Sequence, residues 1–217
     1  MKIHNTRNNQ EESKTIVMIH GNSSSSRVFQ KVIDSALPYQ TLAFDLPGHG
    51  QSEFSTNISD YSLKNYKEIS IGQIAQISGD IILVGNSLGG HIALEIAEQI
   101  SNLKGLMLMG TTPIKYPLNL EEAITPNAAL SVFMTADPSN ADIIKAFEIS
   151  TVSPSIRSQL VEDFKTADPK IRTAIANDLT EGNLENEYEI LKRLNCPIII
   201  IQGQQEPTVS SQYLVEA

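Results

Sequence analysis

The 217-residue chain has one cysteine, no long apolar run and no cluster of positive charge, and each scarcity removes a class of protein. Cys196 alone cannot close an intrachain bridge, which excludes a disulfide scaffold and leaves a reduced, buried thiol in the cytoplasm as the expectation. No stretch has the continuous apolar length that crosses a bilayer, and the start, Met1-Lys2-Ile3-His4-Asn5, lacks the apolar core of a secretion signal. No membrane partner is therefore expected. The 25 acidic side chains outnumber the 16 basic ones, and a net charge of -9 repels phosphate backbones, so no nucleic acid is expected either. No two histidines stand at metal-ligand spacing, and residues 85–90 lack the Gly-x-x-x-x-Gly-Lys pattern that cradles phosphate, so neither a metal nor another cofactor is expected. Internal repeats and heptads are also missing.

What is present is an alternation. Short apolar runs at 15–19, 41–44, 81–84 and 105–109 are separated by amphipathic stretches at 27–36, 62–77 and 88–100, the pattern of parallel strands joined by crossover helices. Strands apolar on both faces predict an α/β fold with a mostly parallel, doubly wound sheet covered by helices. Beyond Gly110 no strand-like run occurs until 197–201, and helical patterns at 119–124, 140–149, 155–166, 168–179 and 185–194 fill the interval. The reading is a core in two pieces, 1–112 and 195–217, with a helical cap at 113–194 above the carboxyl ends of the strands.

Chemistry concentrates at strand ends. Gly85-Asn86-Ser87-Leu88-Gly89 follows the apolar run Ile81-Ile82-Leu83-Val84 and opens a helical pattern, the context of a nucleophile elbow. A sharp strand-to-helix turn strains its central residue and requires neighbours nearly free of side chain, leaving the Ser87 hydroxyl clear of the sheet. His20-Gly21-Asn22 ends the first strong strand, where the amides of Asn22 and Leu88 can form an oxyanion hole. A serine needs a base, and the base an acid partner; after the last strand, Gly203-Gln204-Gln205-Glu206-Pro207 offers Glu206 as that acid.

The histidine expected after the acid is absent. The four histidines, His4, His20, His49 and His91, all precede Glu206: His20 belongs to the oxyanion turn, His49 to the tight turn Leu46-Pro47-Gly48-His49-Gly50, and His91 points along its helix away from the mouth of the site. Little chain follows Glu206 where a strand, a histidine loop and a closing helix are expected, so the C-terminus reads as truncated, with aggregation or dimerisation through exposed sheet surface as a consequence.

Together, His20-Gly21-Asn22, Asp45-Leu46-Pro47-Gly48-His49-Gly50-Gln51-Ser52 and Gly85-Asn86-Ser87-Leu88-Gly89-Gly90 resemble the α/β-hydrolase superfamily. Four features narrow the resemblance to the α/β-hydrolase type of N-acyl-homoserine lactone lactonase: His20-Gly21-Asn22-Ser23-Ser24-Ser25, the elbow continuing into Gly90-His91-Ile92, residues 105–113, and Glu206-Pro207. The resemblance implies metal-free opening of a lactone ring, a quorum-quenching activity. Ser87 would attack the carbonyl, Asn22 would contact substrate at the oxyanion turn, and Ala129, Leu130, Phe133 and Met134 of the cap would hold an acyl chain. Two other functions fit the same residues. One is a carboxylesterase or carbon–carbon bond hydrolase of this fold, and the other a catalytically inactive sensor or fragment without its histidine. The acyl-chain preference and oligomeric state are not encoded in any motif.

Overall fold

The computed structural model describes residues 1–8, 12–117, 127–151, 153–204 and 213–214. Its sheet has six strands: β1 (Asn5–Arg7), β2 (Lys14–Ile19), β3 (Gln40–Phe44), β4 (Asp80–Asn86), β5 (Leu103–Met109) and β6 (Ile198–Ile201). Their spatial order is β1-β3-β2-β4-β5-β6, parallel throughout except for β1, which runs antiparallel to β3. From β2 the chain moves outward to β3, and from β4 it moves the other way to β5. The carboxyl ends of β2 and β4 thus flank the topological switch point, where open α/β sheets form their crevice.

Alternate residues of the central strands serve two cores, as the apolar-on-both-faces pattern requires. Val17, Ile19, Ile81 and Leu83 face one core, completed by Tyr66 and Ile74 of α2 (Leu63–Ile74) and Ile92 and Ile96 of α3 (Leu88–Ile96). Met18 and Val84 face the other, closed by Phe29 and by Ile33 of the one-turn α1 (Gln30–Ile33). Helix α2 starts where the Ser62 hydroxyl accepts from Asn65 N, and it buries Leu63, Tyr66, Ser70 and Ile74 along one stripe.

Three features differ from the sequence expectation. β1 carries no apolar residue, so hydropathy could not reveal it; it is held by its ladder to β3 and by Asn8, which donates to Tyr39 O at 2.8 Å and accepts from Thr41 N at 2.9 Å. β6 is covered on alternate residues only, with Ile199 at 52% and Ile201 at 47% exposure. Cys196 is half-buried rather than buried, and that partial burial raises its thiol pKa.

The helical interval between β5 and β6 contains α4 (Ala128–Phe133), α5 (Asn140–Ser150), α6 (Pro154–Thr166), α7 (Lys170–Glu181) and α8 (Glu187–Arg193) among the described residues. α4 was not anticipated, and the expected 119–124 helix lies outside the described residues. The interval divides in two. Val132, Ile143, Ala146, Phe147 and Phe164 of α4–α6 form a separate small core, whereas Ile171 and Ile175 of α7 and Ile190 of α8 join the main core beneath the sheet. The break falls at Ala167-Asp168-Pro169, where Asp168 N donates to Gly48 O at 2.9 Å and fastens the interval to the loop after β3. No described helix is long and apolar enough to cross a membrane.

Candidate active site

β4 ends at Asn86 and α3 begins at Leu88, which leaves Ser87 alone at the corner. Its φ of 51° and ψ of -121° are backbone values that residues with a side chain rarely adopt. The surroundings hold them: Ser87 N donates to Met109 O at 2.9 Å, the Thr111 hydroxyl donates to Ser87 O at 3.1 Å, and Asn86 Nδ2 donates to Met109 O at 3.1 Å. The corner glycines are demanded by close approach. A Cβ on Gly89 would overlap the Ile19 carbonyl, and one on Gly85 would overlap the Gly89 carbonyl. Ser87 itself is exposed while Leu88, Gly89 and Gly90 behind it are buried.

The turn after β2 lies directly against this corner, since a Cβ added to Gly21 would sit 3.2 Å from Ser87 Cβ. Ser23 takes the left-handed φ of 53°, and its amide donates to His49 Nε2 at 3.0 Å. Asn22 turns its side chain toward the inserted helices, with Nδ2 donating to Phe133 O at 2.8 Å and Oδ1 accepting from Ser23 Oγ at 3.0 Å. Neither the main-chain N–H of Asn22 nor that of Leu88 donates a hydrogen bond among the described residues. Two main-chain N–H groups next to Ser87 are thus without an acceptor among those residues.

The rings of His20, His49 and His91 are committed to other partners. His20 accepts from Leu46 N through Nε2 at 3.0 Å, so the 2.8 Å contact of Nδ1 with Gly21 O must be a donation from a neutral ring. His49 has the same tautomer, accepting from Ser23 N and donating through Nδ1 to Pro47 O at 3.1 Å. Burial lowers the pKa of both. For His20 the nearby Asp45 offsets part of that effect; for His49 the neighbouring His20 deepens it, and the value falls well below 6.5. His91 reaches the carboxylate of Glu187 through Nδ1 at 2.8 and 3.0 Å. Burial depresses its pKa, but the charge and hydrogen bonds of Glu187, with Glu95 beyond, more than reverse this, and the net direction is upward. His4 directly precedes the edge strand β1, and its carbonyl accepts from Asp45 N at 2.9 Å. None of these residues hydrogen-bonds Ser87.

Of the other residues singled out by sequence, Glu206 lies outside the described residues. The Phe133 ring packs edge-on against Phe147 and Phe164, with centroids at 5.6 and 5.8 Å, so its main chain rather than its ring meets the turn at Asn22. Met134 beside it is 38% exposed. Sequence reasoning missed Ser23, Arg172 and Glu187. Arg172 and Glu187 are charged residues buried on helices, and hydropathy assigns such residues to the solvent side. No described group of three or more His, Cys, Asp or Glu residues could hold a metal ion.

A serine corner and a glycine turn meeting at the switch point of such a sheet define the class of α/β hydrolases. The chain belongs to the alpha/beta hydrolase family, whose model matches residues 16–216. It is 27% identical over 208 residues to the uncharacterized hydrolase YugF of Bacillus subtilis, covering 90% of this chain and 74% of that protein. It is also 32% identical over 99 residues to a pimeloyl-acyl-carrier-protein methyl ester esterase of Xylella fastidiosa, a match covering 45% of this chain but 36% of the esterase. Among solved structures, the N-acyl homoserine lactonase AidH complexed with N-butanoyl homoserine superposes with a TM-score of 0.88 at 24% identity, over 98% of this chain and 78% of that one. The protein is a member of this hydrolase family, with an esterase among its relatives and a lactonase among the structures that share its fold.

Proposed function

We propose that the protein is a serine hydrolase acting through an acyl-enzyme on a small ester or lactone, with an N-acyl-homoserine lactone as the favoured substrate. The observation that carries this is the pair of unpartnered amides, Asn22 and Leu88, beside a strained and exposed Ser87. The Ser87 oxygen attacks the lactone carbonyl, and the two amides stabilise charge that exists only in the tetrahedral intermediate, where one such donor contributes about 3 kcal/mol. Collapse breaks the ring ester bond, the base hands the proton it took from Ser87 to the ring oxygen, which stays tethered to the acyl-enzyme through the homoserine carbons, and water then releases the N-acyl-homoserine. Glu206 would orient the base, and residues 113–194 would act as a cap between core segments 1–112 and 195–217, with Phe133 and Met134 near the acyl chain. The cytoplasm is the proposed location, the single unbridged cysteine being its support. The likeness to the butanoyl-homoserine complex supports the choice of lactone, while the Xylella relative keeps simple esters in play.

The commitment of the His20, His49 and His91 rings to partners other than Ser87 favours a second reading, a binding protein that keeps the pocket without turnover. Base uptake at constant pH during incubation with N-hexanoyl-homoserine lactone, beside release of nitrophenol from 4-nitrophenyl butyrate, separates the readings. Lactone opening abolished by Ser87→Ala supports the proposal. Turnover of aryl esters alone selects the esterase, and calorimetric binding without turnover selects the binding protein.

A further inference from the structure

Arg172 is the one buried cation among the described residues whose guanidinium makes no ion pair, at 4% exposure on α7. Such a charge is costly to bury unless its donors are used. Here Nε donates to Thr135 O at 2.8 Å and Nη2 to Ala136 O at 2.6 Å, both in the segment after α4. Nη1 donates to Ser23 Oγ at 3.2 Å and reaches Phe164 O at 3.5 Å, while the Phe164 ring lies 4.3 Å from the guanidinium carbon. The nearby carboxylates are Asp137 and Asp168, and Asp168 is occupied by the Tyr61 hydroxyl and Lys170 N.

The polarity of this network is forced. A guanidinium can only donate, so Ser23 Oγ must accept from it and direct its own proton to Asn22 Oδ1. The Asn22 side-chain carboxamide is thereby oriented with Nδ2 toward Phe133 O, a carbonyl that can only accept. The relay runs one way, from Arg172 through Ser23 and Asn22 to Phe133. Both of its ends lie in the inserted helices, and its middle is the oxyanion turn. From below, His49 Nε2 accepts from Ser23 N and fixes the same left-handed residue.

We propose that Arg172 is a positioning residue that couples docking of the 133–136 segment to the conformation of the oxyanion turn, so that the Asn22 amide is aimed at Ser87 only while that segment is seated. The coupling stands on the contacts alone; its effect on rate rests on the hydrolase reading above. The test is amide hydrogen exchange of the full chain and its Arg172→Met and Arg172→Lys variants, together with ester turnover. In Arg172→Met, exchange at 133–136 and at 20–26 should rise together by about tenfold while β4 and β5 stay protected. Turnover of 4-nitrophenyl butyrate should fall about a hundredfold in kcat with KM within about threefold, because a donor displaced by about 1 Å loses the transition state rather than the substrate. Arg172→Lys, which keeps the charge but not the fork, should fall between, and added guanidinium ion should restore part of the rate to Arg172→Ala. Ser23→Ala, which cuts the relay but leaves Arg172 on its carbonyls, should loosen 20–26 without loosening 133–136; this variant decides the matter if Arg172→Met does not fold. Exchange rising at 133–136 with 20–26 unchanged in Arg172→Met would overturn the coupling. A protein that turns over no ester, yet shows the coupled exchange, would refute the hydrolase reading and keep the relay.

Discussion

The serine corner and the α4–α6 unit are both folded around buried residues, but they are held by different means. At the corner, backbone meets backbone: Gly89 lies against the Ile19 and His20 carbonyls, and Ser87 N is bonded to Met109 O across the sheet. No side chain can relax to absorb an error there. In α4–α6, three aromatic rings, Phe133, Phe147 and Phe164, meet edge-to-face at 5.6 to 5.9 Å around a small core separate from the main one. One region is fixed by covalent geometry and the other by a few side chains. The corner can thus stay rigid while the α4–α6 unit opens or changes shape at lower cost.

Removing the keystone of the small core tests this difference most severely. Phe164→Ala should cost about 4 kcal/mol, the usual penalty for deleting a buried aromatic ring, and the loss should be local. Hydrogen exchange should then show α4, α5 and α6 opening at denaturant concentrations where β2, β4 and β5 remain protected. A single cooperative transition with all regions exchanging together would show that the two cores are one. Gly89→Ala should cost about 3 kcal/mol by forcing a methyl group into two backbone carbonyls, and the loss should be global, with no region unfolding early. Urea unfolding read by far-ultraviolet circular dichroism measures it; a Gly89→Ala protein of unchanged stability would show that the corner has slack.

The same difference explains what could be read from the sequence. Ser87, Gly21 and the central strands were legible because a residue type is dictated there by backbone approach or by two-sided burial, and such demands leave a local pattern. The inserted helices were legible as helices, but their division into two cores was not. Ile143, Phe147 and Phe164 show the same helical spacing as Ile171 and Ile175, and spacing does not say which core a face meets. β1 left no hydropathy signal because its residues Asn5, Thr6 and Arg7 are held by main-chain bonds. Arg172 and Glu187 were invisible because a buried charge looks like a surface one until its partners, from Ser23 to Ile114, are brought together by the fold. Ser23 was quoted in a motif, but its left-handed backbone depends on His49, distant in sequence.

The smallest effects near neutral pH come from the histidines, and they sharpen the comparison because the two sides of the site respond with opposite sign. His20 and His49, at the turn after β2, are buried neutral with pKa values below 6.5. In the unfolded chain they take up protons as the pH falls through 6.5, while in the folded protein they do not. Their contribution to stability is therefore complete above 6.5 and is lost progressively below it, down to the folded values. His91, which ties α3 to Glu187 at the start of α8, has a raised folded pKa. Its contribution is complete below 6.5 and is lost as the pH rises through the folded value. The urea midpoint measured across pH should show an acid limb and an alkaline limb of different origin. His49→Gln should flatten the acid limb and leave the other, and His91→Gln should flatten the alkaline limb and leave the acid one. A His91→Gln protein whose alkaline limb persists would show that the limb does not come from the imidazolium at the junction of α3 and α8.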